Sequence, residues 1–234
     1  MRNYIILNGV SSQTVSGLLI QTLPPISKPR IRSEVEEIDG RDGDIVTYLG
    51  YGAYDKEFKI GLYGSYDVDE IISYFNSQGT VTFSNEEDKY YNYQIIEQID
   101  FDKLLRFKEA TVKMHIQPFK YSAEDNEKTF TIDDETSINI RNSGNIYSRP
   151  VLTITGTGII EIYLNEIQIF TINMGSYTSM TIDTNNMNAY NNNVLLNRYV
   201  TGDYDDFKLN VGKNTISWSG TITQIQINNY SRWI

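Results

Sequence analysis

The sequence predicts a mainly β protein in two parts, the first with one α-helix and the second a β-sandwich. The chain has 18 tyrosines, which favour strands because aromatic rings pack well on a pleated, half-buried surface. Only one segment has the apolar period of a helix, whereas short apolar runs separated by turn residues recur along the rest of the 234 residues. Hydrophobic residues make up 40% of the chain, which indicates an ordered globular protein.

The composition changes near residue 128, and we therefore predict two domains, residues 1–128 and 129–234. The first holds 14 Lys or Arg and 21 Asp or Glu, whereas the second holds 6 and 9, and asparagines rise from 6 to 16. Such a shift marks a boundary between parts of a chain. The polar run over residues 122–128 lies at this change and is predicted to be a linker.

One helix is predicted in the first part, over residues 67–78. Asp67 is expected to cap its first turn together with Glu70, and Gly79 is expected to supply a left-handed exit. The apolar stripe of this helix consists of Val68, Ile71, Ile72 and Phe75.

Strands are predicted on the C-terminal side of this helix. Residues 80–83 and 90–101 form a hairpin around the charged tip at residues 85–88, because a charged tip resists burial. A further strand covers residues 105–117, with an apolar face from Ala110 onward. Pro118 is expected to end it, since proline cannot donate a ladder hydrogen bond.

The second part is predicted to be a two-sheet sandwich or jelly roll of short strands. Turn residues at 164–166, 175–176 and 219–220 separate these strands. The predicted strands cover residues 137–141, 150–155, 158–164, 167–173, 179–183, 206–209, 214–219 and 221–228.

The most informative motif is Gly40-Arg41-Asp42-Gly43, which lies between apolar flanks after a proline-rich segment. Two glycines around a charged pair predict a tight turn whose polar side chains face outward. The motif is typical of an assembly element rather than of a catalytic pocket.

Charge and composition exclude several function classes. The net charge of −10 and the pI near 4.6 argue against binding to DNA phosphates, although an acidic surface would suit a channel through which DNA slides. The absence of cysteine fits folding in a reducing compartment, and we expect the cytoplasm. No apolar run is long enough to span a membrane, and the run at residues 4–7 is too short for a signal peptide.

No residue pattern predicts catalysis, a metal site or a cofactor. His115 is the single histidine and is expected on the polar face of a strand. The acidic runs at residues 133–135 and 203–206 are expected to be solvated loops. Asp203, Asp205 and Asp206 remain candidate calcium ligands, because loop carboxylates are hard oxygen ligands. Gly156-Thr157-Gly158 lacks the third glycine of a dinucleotide fingerprint and is predicted to be a β-turn.

Aromatic residues in the second part leave two interpretations open. They could stack on sugars or contact protein partners; the interpretation we favour is that Trp218 and most of the tyrosines fill or flank the core. The residues concerned are Tyr147, Tyr163, Tyr177, Tyr190, Tyr199, Tyr204, Trp218, Tyr230 and Trp233.

Over nearly its whole length the chain resembles the distal tail proteins of long, non-contractile-tailed bacteriophages. Each motif is weak alone, and Gly-Arg-Asp-Gly is also similar to a feature of tail tube proteins. The matching motifs are, in order, Asn8-Gly9, Gly17-Leu18-Leu19-Ile20, Pro24-Pro25, Pro29, Ile38-Asp39-Gly40-Arg41-Asp42-Gly43, Pro118-Phe119-Lys120-Tyr121, Asn142-Ser143-Gly144, Arg149-Pro150, Thr153-Ile154-Thr155-Gly156, Gly212-Lys213-Asn214 and Arg232-Trp233.

This resemblance implies a structural protein of the virion tail tip. It implies a first domain of split β-barrel, tail-tube-like type, six copies of which form a ring with an open lumen for DNA. It also implies a second domain similar to a galectin or carbohydrate-module sandwich, outside the ring. The implied partners are the major tail tube protein on one ring face, the tail-associated hub protein on the other and a receptor-binding protein on the outer domains.

Two alternative functions remain open, that of a carbohydrate-binding module and that of a glycosidase. Glycan binding by residues 129–234 would support the first, and hydrolysis of cell-wall polymers the second. For the scaffold, we hypothesise that Gly40, Arg41, Asp42 and Gly43, with residues 34–44 around them, lie in a subunit contact or a ring-lining loop.

Overall fold

The computed structural model of the protein describes residues 2–125 and 127–234. The chain separates into two compact units, one up to Ala123 together with Ile234 and the other Glu124–Trp233. Both units are built mainly of strands, as the sequence predicts. The linker prediction at Asn126 lies outside the described residues, and separate roles for residues 1–128 and 129–234 stay a prediction.

The first unit is a curled antiparallel sheet with one separate hairpin and two short helices. Its elements are β1 (Ile5–Leu7), β2 (Val10–Ser11), β3 (Leu18–Ile20), β4 (Ile31–Glu37), β5 (Asp44–Tyr51), β6 (Tyr54–Leu62), α1 (Val68–Tyr74), β7 (Gln78–Phe83), β8 (Lys89–Gln94), α2 (Phe101–Phe107) and β9 (Glu109–Ser122). The strand order β2-β1-β7-β8-β9-β6-β3 curls into a half-barrel. β4 and β5 form a sheet of their own.

The curled sheet buries one face because apolar and polar residues alternate along its strands. In β9 the predicted apolar face is confirmed, since Ala110, Val112, Met114 and Ile116 are at most 1% exposed. Aromatic rings from three neighbouring strands pack on this face, and α1 and α2 each add one buried aliphatic side chain. These residues are Phe58, Phe83, Tyr91, Tyr93, Ile71 and Leu104.

The predicted first helix is confirmed, but it is shorter than expected and ends at Tyr74. The Asp67 carboxylate caps it and accepts the backbone N–H of Glu70 at 3.3 Å. The role given to Gly79 is wrong, because Gly79 lies inside β7 rather than at the helix exit. A Cβ there would meet Asn8 Oδ1 at 1.9 Å, so the position needs glycine for a close approach to Asn8.

The predicted strands over residues 90–101 and 105–117 are wrong where they approach each other, because α2 occupies that segment. Asp100 caps α2 by accepting the backbone N–H of Lys103 at 2.7 Å, and Lys108 ends it in the left-handed conformation with φ of 60°. The apolar residues of this segment also fit the period of two of a strand, but the cap at Asp100 and the left-handed exit at Lys108 enclose one short helix.

Pro118 does not end β9, which continues to Ser122. The register between β8 and β9 shifts here, since Tyr91 pairs with Lys120 whereas Tyr93 pairs with Ile116. The proline lies in the resulting bulge, where a missing N–H breaks no ladder hydrogen bond.

The second unit consists of strands arranged around two long ones. Its elements are β10 (Lys128–Thr131), β11 (Ser137–Asn142), β12 (Val151–Leu164), β13 (Ile167–Asn173), β14 (Ser179–Asp183), β15 (Asn188–Asn191), β16 (Val194–Leu195), β17 (Val200–Gly202), β18 (Gly212–Asn228) and β19 (Arg232–Trp233). The first part of β12 pairs with β14 and its second part with β13. The last part of β18 pairs with β10 and its first part with β11. Jelly-roll connectivity stays a prediction.

Two predicted turns of the second unit are wrong because they are bends inside the long strands. Gly156-Thr157-Gly158 lies within β12 and Ser219-Gly220 within β18, where the register between the two strands shifts. A Cβ on Gly156 would meet the Thr221 carbonyl oxygen at 2.3 Å, and one on Gly220 would meet the Ile159 carbonyl oxygen at 2.3 Å. Glycine at these bends lets the two backbones approach closely.

The predicted strand over residues 206–209 is also wrong. This segment makes only an isolated bridge between Ser148 and Leu209, and Phe207 and Leu209 are both fully buried. Apolar residues that attach a loop to the core give the same sequence pattern as a short strand.

Candidate assembly site

The arm, defined as the β4–β5 hairpin over residues 31–51, is a two-stranded ribbon. Val35 pairs with Val46 and Glu37 with Asp44, and within the described chain no further strand joins it. Every residue of β4 is exposed. An isolated two-stranded hairpin is marginally stable at best in water. The arm is therefore the element that would gain most from a surface that covers it.

The tip of the arm carries the four residues that the sequence singles out, and the predicted turn is confirmed. The Ile38 carbonyl oxygen accepts the backbone N–H of Arg41 at 3.1 Å. Gly40 and Gly43 have φ of 81° and 77°, a conformation that side chains with a Cβ disfavour. Gly40, Arg41, Asp42 and Gly43 are all exposed, and their place in a subunit contact or lumen stays a prediction.

The two faces of the arm differ in chemistry. Residues that pair directly across a hairpin point to the same side, so Val35 and Val46 share a face with Tyr48. These three side chains are 55%, 63% and 57% exposed. Glu34 and Glu36 lie on the opposite face. The directly paired Glu37 and Asp44 lie on the same face as Val35 and Val46, because side chains two residues apart on a strand point to the same side. The arm thus presents apolar side chains bordered by carboxylates on one face, and further carboxylates on the other.

The arm is also strongly acidic. Residues 31–51 contain two arginines and six carboxylates, a net charge of −4. Among the described residues, none of these carboxylates belongs to an ion pair. The carboxylates are Glu34, Glu36, Glu37, Asp39, Asp42 and Asp44.

A buried lysine holds the segment that leads into the arm. Lys56 is 3% exposed, and its ammonium donates to the Pro25 carbonyl oxygen at 2.7 Å. Asn85 Nδ2 donates to the neighbouring Pro24 carbonyl oxygen at 3.1 Å. Burial lowers the pKa of Lys56 to about 8, because desolvation disfavours the charged form. One side chain of β6 and one of the β7–β8 turn therefore hold the path of the proline-rich segment.

The end of α2 carries functional candidates that the sequence analysis missed. Phe107 is 69% exposed, the highest value among the large exposed hydrophobic residues of the described chain. Lys103, Arg106 and Lys108 are exposed around it. The signal that could have found this helix is Asp100 at an N-cap position followed by cations toward the last turn.

His115 lies on the polar face of its strand, as predicted. Its Nδ1 is 2.8 Å from Asp55 Oδ1, and Lys113 Nζ is 3.2 Å from Asp55 and 2.6 Å from Glu97. Hydrogen bonds from His115 and then Lys113 lower the pKa of the Asp55 carboxyl. This partly exposed cluster links β6 and β9 to the segment that follows β8.

The acidic runs occupy loops, as expected. Asp133, Asp134 and Glu135 are all exposed, and Asp205 is held by Arg149 and by Lys208, the latter at 2.5 Å. In residues 2–125 and 127–234 no group of three or more His, Asp or Glu side chains is placed to hold a metal ion. No helix of these residues is long and apolar enough to cross a membrane.

Several aromatic residues of the second unit pack on its core. Trp218 is 9% exposed, Tyr204 packs on Phe170 with ring centroids 5.4 Å apart, and Tyr177 contacts Tyr199 edge to face at 5.7 Å. The core interpretation is confirmed for these residues. A buried indole offers no open ring on which a sugar could stack.

The fold is similar to that of a solved phage protein. The crystal structure of SPP1 Dit (gp 19.1), described as a paradigm of the hub adsorption apparatus in phages that infect Gram-positive bacteria, matches with a TM-score of 0.65. The match has 15% identity over 97% of this chain and 99% of that one. Chains of the phage P2 baseplate in its activated conformation, with Ca and with Sr, give TM-scores of 0.48 and 0.46. Their identities are 10% and 11%, and each match covers 97% of both chains. The sequence matches no protein-family model and no curated protein at a significant level.

Proposed function

We propose that this chain is a structural protein of a bacteriophage tail tip. Six copies form a ring through residues 1–128, and residues 129–234 lie outside it. The ring joins the tail tube to the tail-associated hub protein, and the outer domains hold receptor-binding proteins. The observation that carries the proposal is the match to SPP1 Dit over 97% of this chain, because a fold shared from end to end includes both units.

The arm supplies the physical support for assembly. Full burial of a Val-sized or Phe-sized apolar side chain stabilises by about 1.5–3 kcal/mol, and the arm exposes Val35, Val46 and the ring of Tyr48 on one face. A ring of identical subunits uses two different patches on each copy and closes on itself, so it covers such a face without leaving a free one.

The charge supports a lumen through which DNA moves. The chain carries a net charge of −10, and an acidic surface repels phosphates rather than binding them. DNA then passes without specific contacts, and no cofactor or catalytic residue takes part. The particle is assembled in the host cytoplasm and the protein resides at the virion tail tip.

The test is the oligomeric state of the full chain over a range of concentrations, because assembly depends on mass action. Light scattering after size exclusion should give a hexamer mass, and negative-stain electron microscopy should show six-fold rings. Val46→Glu should abolish the rings. Ile167→Glu changes a residue of the second unit that is 67% exposed and is the matched control. A monomer at all concentrations, or rings unaffected by Val46→Glu, would contradict the proposal.

A further inference from the structure

We propose that the arm of one copy docks on the α2 surface of the next copy, and this inference rests on the proposed ring. The α2 surface is defined as Lys103, Arg106, Phe107 and Lys108. A strand ribbon packing across a helix end forms a heterologous contact, since two different patches of the same chain meet.

Charge complementarity selects this partner surface. The arm carries a net charge of −4. Residues 101–108 contain Lys103, Arg106 and Lys108 against a single Asp102, a net charge of +2. Among the described residues, these three cations take part in no ion pair. Opposite potentials of this kind fix register and speed association.

Apolar complementarity points to the same pairing. The exposed ring of Phe107 lies among the cations, and the guanidinium of Arg106 is 5.8 Å from its centroid. The arm offers Val46 and Tyr48 beside its carboxylates. An aromatic anchor inside a rim of opposite charges is the usual composition of a specific interface.

The positions of the two patches suit a repeating contact. β6 and β9 run side by side from Tyr54 opposite Ile116 to Gly61 opposite Glu109. The arm enters β6 at Tyr54, whereas α2 enters β9 at Glu109. At roughly 3.3 Å per residue, the two patches lie at opposite ends of a ribbon about 23 Å long. Each copy therefore offers its arm at one end and receives an arm at the other.

The test uses the absence of cysteine from the chain, which makes engineered disulfides unambiguous. Full-length Val46→Cys and Phe107→Cys proteins are mixed and oxidised mildly. We expect a disulfide-linked dimer from the mixture and a ladder up to the hexamer from the doubly substituted chain on non-reducing gels. Ile72→Cys replaces Phe107→Cys in the control, because Ile72 is 44% exposed on the other helix. Far-ultraviolet circular dichroism establishes that each variant is folded.

Each outcome separates docking from ring formation. Rings by electron microscopy without cross-linking between Val46→Cys and Phe107→Cys, or equal cross-linking with Ile72→Cys, would overturn the docking. Cross-linking in open chains without rings would support the docking and overturn the hexamer. As a second readout, Asp42→Arg should reduce assembly at least tenfold, and adding Arg106→Asp should restore it. Failure of both the cross-link and the charge exchange would overturn the docking of the arm on the α2 surface.

Discussion

The first unit contains two hairpins with charged tips, and they differ in what covers them. In the β7–β8 hairpin, Val81, Phe83 and Tyr91 are at most 1% exposed. In the arm, Val35 and Val46 are 55% and 63% exposed. Both hairpins alternate apolar and polar residues around an acidic turn, so the local pattern is the same. The comparison teaches that one hairpin buries its apolar face and stabilises the unit, whereas the other leaves its apolar face exposed for the contact that we propose.

The tips of the two hairpins also differ in whether their acidic side chains make contacts within the fold. Glu86 at the tip of β7–β8 accepts from Lys120 at 2.7 Å, and both side chains are 10% exposed. Tyr91 also donates its hydroxyl to Glu86. At the arm tip, Asp39 and Asp42 belong to no ion pair among the described residues. The acidic tip of β7–β8 therefore makes contacts within the fold, whereas the acidic tip of the arm is exposed to solvent.

The largest effect expected from this comparison is a loss of stability in the covered hairpin. Phe83→Ala should lower the free energy of unfolding of the first unit by about 3–5 kcal/mol, because it leaves a cavity beside Phe58 and Tyr91. Val46→Ala in the arm should change it by less than about 0.5 kcal/mol. Urea unfolding with hydrogen exchange of β7 and β8 amides measures both. Equal losses in the two variants would remove the distinction.

The second effect concerns the tips. Glu86→Gln should cost about 3 kcal/mol, since it leaves the Lys120 ammonium buried without its carboxylate. Asp42→Asn at the arm tip is the matched control and should stay within about 0.5 kcal/mol. Thermal and urea unfolding of the two variants test this. A cost for Asp42→Asn as large as that for Glu86→Gln would mean that the arm tip is already held within the monomer.

The third effect is a pH dependence at the root of the arm. The pKa of Lys56 is about 8 in the folded chain, below its ordinary value of 10.5. Between these values the unfolded chain binds more protons. The free energy of unfolding should therefore rise by about 2 kcal/mol from pH 8 to pH 10 through this group alone.

Lys56→Met should remove this rise, whereas Lys59→Met, which changes a half-exposed lysine of the same strand, should keep it. Urea unfolding of the wild type and both variants between pH 7 and pH 10 measures the difference. Parallel pH profiles for the wild type and Lys56→Met would show that Lys56 keeps its proton throughout this range in the folded chain.

The smallest effect lies at the arm turn. Gly43 has φ of 77° and open space around the position of a Cβ, so Gly43→Ala should cost about 1 kcal/mol through backbone strain alone. The cost is local and should appear as faster hydrogen exchange in β4 and β5 with unchanged exchange in β7. Gly43→Asn is the control, because asparagine tolerates this conformation better. Unchanged hydrogen exchange in Gly43→Ala would show that alanine causes no strain at the arm turn.

A structural feature could be predicted from the sequence where residues close together along the chain determine it. The Asp67 cap, the alternation from Ala110 to Ile116 and the turn at Gly40–Gly43 are fixed by residues a few positions apart, and all three are found in the structure. The helix α2 was missed because its apolar residues also fit a strand. The continuation of β9 beyond Pro118 could not be predicted, because a bulge against β8 accommodates the proline.

The sequence by itself determined the β character of the chain, the change in composition near residue 128, and the turn that closes the arm. These follow from side-chain periodicity and backbone preference, which act over short distances. Only the tertiary structure decided that β7–β8 is covered and the arm is not, that Lys56 is buried beneath the proline-rich segment, and that the arm and α2 lie at opposite ends of one ribbon. Coverage of a face depends on strands distant in sequence, and the pattern of one hairpin does not encode which of them lies above it.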